Sequence, residues 1–93
     1  MKNHYQFKLV CRCPYDNMVN IYDVSIRCEH QIDVEDFIKF QDEIYNKTYI
    51  QETLCEMIAD RYAIDIEIPN VNSVHVEMKG IHSGTIIISK KSK

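Results

Sequence analysis

Glycine and proline are scarce, with two of each in 93 residues, and apolar residues make up 45% of the chain. That composition excludes collagen-like, low-complexity and disordered classes. Long apolar runs are also missing. None approaches the roughly 20 residues that a helix needs to cross a bilayer. The opening Met1-Lys2-Asn3-His4-Tyr5 lacks the apolar core of a signal peptide, so a cytoplasmic protein is expected, without membrane association. Basic charge is not in excess either. Eleven Lys and Arg against fourteen Asp and Glu leave a net charge of −3, which argues against broad nonspecific nucleic-acid binding. No phosphate loop, dinucleotide fingerprint or H-E-x-x-H motif occurs.

What is present is a clear succession of periods. Tyr5, Phe7, Leu9 and Cys11 alternate with Gln6, Lys8, Val10 and Arg12, the pattern of a half-buried strand. Pro14-Tyr15-Asp16-Asn17 is turn chemistry. A second alternation then carries Tyr22, Val24, Ile26 and Cys28 on one face. The period next changes to that of a helix. Asp33 is the expected N-cap, and Val34, Phe37, Ile38, Ile44 and Tyr45 form the expected apolar face over 34–46. Thr48 and Gln51 have the spacing of a capping box opening a second helix, with Ile50, Leu54, Met57, Ile58 and Tyr62 on its apolar face. Ile64, Ile66 and Ile68 return to strand character, which Pro69-Asn70 interrupts before Val74, Val76 and Met78. Gly80 to Gly84 read as a turn and Thr85 to Ser89 as a last strand. The basic Lys90-Lys91-Ser92-Lys93 reads as a solvated end.

The order strand, strand, helix, helix, strand, strand predicts one α+β domain over 1–93. Its architecture is a four-stranded antiparallel sheet with two antiparallel helices on one face. Val10, Ile21 and Ile87 would then lie on the other face, and the sheet's edges would need pairing. Both features predict a homo-oligomer, with copies closing edge to edge into a barrel.

Four constellations bear on chemistry. Cys13-Pro14 places a cysteine at a strand end before a turn, where nucleophiles sit, although a lone cysteine is more often a small buried apolar group. Glu52, in the first turn of the second helix, can accept a pair of parallel N–H donors such as those on the edge of a guanine-like base. The plain alternative is a charge favouring the helix N-terminus. Cys11, Cys13, Cys28 and His30 supply four ligands of the kind zinc takes, at a spacing unusual for structural sites and with strand alternation separating the pairs. His82-Ser83-Gly84 is a turn where backbone amides and an imidazole can meet a ligand.

The element order resembles the tunnelling fold (T-fold), whose members assemble into barrels and bind purines or pterins between subunits. The segment from Cys13-Pro14-Tyr15-Asp16-Asn17-Met18 through Asn20 to Val24 resembles the active-site segment of the cyano-deazaguanine nitrile reductases. It is more similar still to their short archaeal relatives, the amidinotransferases of archaeosine synthesis. The stretch Val34 to Phe40, running on to Tyr49-Ile50-Gln51-Glu52, carries the same likeness.

The resemblance implies that Cys13 attacks a nitrile carbon to form a thioimide, that Glu52 anchors the base and that Gly84 is the glycine of the last turn. It also implies a small purine-like ligand or a modified tRNA as substrate, bound at sites between subunits. Two positions depart from the family. Asn20 stands where the family has a proton-moving aspartate, and Gln51 stands where it has a histidine. An amide cannot be a general acid or base, although it can hydrogen-bond the nitrile nitrogen. Glu35 to Lys39 keep only part of the Ser- and Lys-containing NADPH stretch of the reductases, so no cofactor is expected. A pocket that binds purines or pterins without catalysis, and an NADPH-dependent reductase, are the alternatives.

Overall fold

The computed structural model describes residues 3–63, 74–80 and 84–90. Six elements follow the expected order: β1 (Asn3–Arg12), β2 (Val19–Cys28), α1 (Glu35–Ile44), α2 (Gln51–Tyr62), β3 (Val74–Gly80) and β4 (Thr85–Lys90). The strands form one sheet in the order β1-β2-β3-β4, every pair antiparallel. The stretch Ile64 to Ile68, expected to have strand character, lies outside the described residues, as does His82.

Strand alternation builds the core. Leu9 and Cys11 of β1, Tyr22, Val24, Ile26 and Cys28 of β2, and Val74, Val76 and Met78 of β3 are buried under the two helices. Phe37 of α1 stacks on Phe7 at 4.3 Å and meets Tyr5 and Tyr62 edge-on, which joins sheet, α1 and α2 in one aromatic cluster. α2 buries Leu54, Cys55, Ile58, Ala59 and Tyr62, close to the expected face, while Ile50 at its start is exposed.

α1 departs from expectation. It ends at Ile44 rather than 46, and its buried residues are Phe37, Phe40 and Ile44. Val34, Ile38 and Tyr45, assigned to the core by the sequence pattern, are 59%, 65% and 59% exposed. The stripe that meets the sheet contains a polar residue that apolar counting passes over. Gln41 accepts the Val10 N–H through Oε1 (2.8 Å) and donates through Nε2 to the Val10 carbonyl (3.0 Å). Its amide thereby covers the outward backbone of edge strand β1.

The helix starts also differ. Asp33 Oδ1 accepts the Glu35 N–H at 3.0 Å, but the residue that bounds α1 is Val34, one later than expected, and it offers no side-chain cap. Thr48 does not cap α2. The helix begins after Ile50 with no side-chain cap, and Thr48 instead forms a parallel bridge to Arg12.

The helix-free sheet face is not the apolar surface foreseen. Apart from Val10, Val19, Ile21 and Ile87, it presents His4, Gln6, Lys8 and Arg12, then Asp23, Ser25 and Arg27, then His75, Glu77 and Lys79. Alternation with the buried side supplies polar residues in all four strands, Thr85 and Ser89 of β4 included, so the apolar positions stay scattered. Lys90 is not a free tail residue, since its ammonium pairs with Asp60 and Glu56 of α2.

Candidate functional site

The end of the sheet where β1 and β3 finish and β2 and β4 begin collects the candidate residues. The connection from Cys13 to Met18 is tied to itself. Cys13 N–H donates to the Met18 carbonyl and Asn17 N–H to the Cys13 carbonyl, both at 2.9 Å. Asp16 Oδ1 accepts the Met18 N–H at 3.0 Å, an Asx-turn. Asn17 takes the left-handed conformation (φ 59°), which asparagine tolerates better than most residues, and Arg12 Nη1 donates to its carbonyl. Cys13 therefore sits on a braced turn, half-buried.

The link between the helices runs alongside. Arg12 N–H donates to the Lys47 carbonyl (3.4 Å) and Tyr49 N–H to the Arg12 carbonyl (3.2 Å). This short parallel pairing brings the start of α2 beside the end of β1. Gln51, in the first turn, donates from Nε2 to the carbonyls of Met78 (3.0 Å) and Gly84 (2.9 Å), fastening α2 to β3 and to the residue before β4. It therefore serves as a brace rather than reaching back to Thr48. Glu52 follows it on the exposed side, and no hydrogen-bond partner for its carboxylate is found among the described residues.

Asn20 pairs across the sheet with Cys11 and donates through Nδ2 to the Tyr22 hydroxyl at 3.4 Å. Tyr22 is 3% exposed. Burial raises its pKa, the Asn20 bond opposes that shift, and charge on Cys11 or Cys13 would raise it further. The phenol therefore stays protonated as a donor within the electrostatic reach of both thiols. Sequence reading assigned Tyr22 to the core; the available signal was its position two residues after Asn20 on the same face.

The other thiols are quiet. Cys11 is buried, with its thiol donating to the Lys47 carbonyl, and burial raises its pKa. Burial likewise raises Cys28, and pushes Cys55 up to about 11. The four-ligand zinc arrangement does not form. Cys11 lies opposite Asn20 and Cys28 opposite Asn3, so the two are near opposite ends of β2, about 27 Å apart at the rise of an extended strand. No cluster of metal-ligating side chains occurs among the described residues.

Cys13, Asn20, Gln51, Glu52 and Gly84 thus share one end of the molecule, while His82 lies outside the described residues. Chemically the end offers a half-buried thiol, a carboxamide that donates to a buried phenol, and an exposed carboxylate at a helix N-terminus. Searches against protein-family models, curated proteins and solved structures find no match to the chain.

Proposed function

We infer that this chain is a T-fold enzyme of 7-deazaguanine metabolism that acts on cyano-deazaguanine, or a close purine analogue, through a thioimide on Cys13. The observation that carries the reading is the gathering of Cys13, Asn20, Gln51, Glu52 and Gly84 at one sheet end, from three separate stretches of sequence. Glu52 accepts paired N–H donors of the base, stabilised by the helix N-terminus. The Cys13 thiolate adds to the nitrile carbon. A carbon–sulfur bond forms, one π pair moves to nitrogen, and that nitrogen takes a proton. A primary amine then adds to the thioimide carbon and the thiol departs, leaving an amidine. This amidinotransferase-like route needs no hydride donor, in keeping with the incomplete NADPH stretch at Glu35 to Lys39. The substrate is free base or modified tRNA, and several copies pair edge to edge so that each site is completed between subunits.

Asn20 favours a second reading, a purine- or pterin-binding T-fold protein without catalysis. Its amide is committed as a donor to Tyr22 and cannot move protons. Intact-mass spectrometry after mixing with cyano-deazaguanine separates the two. The enzyme reading expects one ligand mass added per subunit, lost in Cys13→Ala and kept in Cys11→Ala, Cys28→Ala and Cys55→Ala. Tight noncovalent binding with no adduct would establish the binding-protein reading instead.

A further inference from the structure

The helices and the bare sheet face carry opposite charge. On the helices seven acidic residues face two basic ones, Lys39 and Arg61. On the helix-free face the balance reverses: Lys8, Arg12, Arg27 and Lys79 against Asp23 and Glu77. A chain of net charge −3 therefore keeps a positive surface, which attracts anions there and repels them from the helices.

Register arranges that surface in rows. His4 pairs with Arg27 and Arg27 with His75, so imidazole, guanidinium and imidazole stand side by side on three adjacent strands, about 4.8 Å from one to the next. Each imidazole is held by a serine: His4 Nε2 lies 2.5 Å from Ser25 Oγ, and His75 Nδ1 lies 2.6 Å from Ser89 Oγ. The second nitrogen of each ring, and the whole Arg27 guanidinium, have no protein partner among the described residues. Next to this row the twisted sheet forms a groove of about 580 Å³, lined among others by Gln6, Ser25, Lys79 and the acceptors Asp23 and Glu77. Its size matches that of sites for small ligands.

A planar guanidinium flanked by two fixed imidazoles suits a phosphate group, which Arg grips with two parallel bonds. Farther along, Asp23 is paired with Lys8 at 3.3 Å, and the Glu77 carboxylate suits the hydroxyl or amino donors of an attached organic group. We propose that the helix-free sheet face binds a phosphate monoester of nucleotide size, with its phosphate on the His4–Arg27–His75 row. The proposal is independent of the thioimide reading, because the row lies on the other face of the sheet from Asn20 and Tyr22.

The test is a backbone NMR titration of the full chain with adenosine monophosphate and, separately, adenosine. The monophosphate should shift the amides of His4, Arg27 and His75, and adenosine should bind at least about tenfold more weakly. Arg27→Gln, an exposed substitution, should weaken the monophosphate by about tenfold or more, and His75→Gln should weaken it as well, whereas Lys39→Gln on α1 should not. Glu52→Gln should leave this binding intact, which separates it from the purine anchor. Equal affinity for adenosine, unchanged binding in Arg27→Gln and His75→Gln, no binding at all, or shifts confined to the start of α2 would each overturn the proposal.

Discussion

A thiol reagent added to the native chain at pH 8 should find one fast cysteine. Cys11, Cys28 and Cys55 are buried with raised pKa values, and only the thiolate reacts, so the half-buried Cys13 is the one thiol the reagent reaches readily. Release of the coloured thiolate from a disulfide reagent should therefore show one rapid equivalent per chain, absent in Cys13→Ser. Four rapid equivalents would mean that the core opens easily. Cys13 was legible from its place before Pro14, because strand-end cysteines at turns follow from local sequence. Tyr22 and Gln41 were not. Each acts through a partner distant in sequence or hidden by its type: Tyr22 through the hydroxyl that Asn20 reaches, Gln41 through the Val10 backbone. Nothing in a period of two or 3.6 marks a glutamine that replaces a strand.

At the scale of elements, α1 and α2 are locked by Arg61. Its guanidinium holds Asp36 through two bonds (2.9 and 3.0 Å), reaches Glu43 at 3.0 Å and lies 5.1 Å from the centre of the Phe40 ring. The bonds from Arg61 hold the Asp36 carboxyl at about 2, below its ordinary value near 3.9. A depressed native pKa contributes stability that is complete above about pH 4 and is lost as pH falls through 2. Both side chains are about a third exposed, so solvent screening reduces the contribution to about 1–2 kcal/mol. Denaturant titrations should show the native chain losing that amount between pH 4 and pH 2, with Asp36→Asn starting lower at pH 7 and varying less over the same range. Equal slopes would place the acid sensitivity elsewhere. The order of the strands and the presence of α2 were readable because turn residues and a period change mark them, but the start of α2 was not, since Thr48 pairs with Arg12 instead of capping the helix. The face of α1 was not, since Val34, Ile38 and Tyr45 are apolar yet point to solvent, while Phe40 carries the contact.

For the whole molecule, the polar helix-free face removes one reason to expect association and leaves the other, the strand edges. β4 ends the sheet on one side with no strand beyond it among the described residues. Sedimentation equilibrium at micromolar concentration should give a multiple of 11.0 kDa, the mass of one chain. A stable single-chain mass would remove the barrel and the shared sites with it. Val10, Ile21 and Ile87 lie scattered among charged and polar neighbours, an arrangement that single-residue hydropathy cannot distinguish from an apolar surface.

The glutamine lying along β1 has one more effect. Alternation turns the backbone of His4, Gln6 and Lys8 outward like that of Val10 and Arg12, but the last two are already occupied by Gln41 and by the link at Lys47 to Tyr49. A newcomer strand can therefore lie along only the first half of this edge and must stop short of Val10. Any ring built by such docking inherits a fixed stagger at every seam, and stagger sets the slant of strands about the axis and with it the width of the hole.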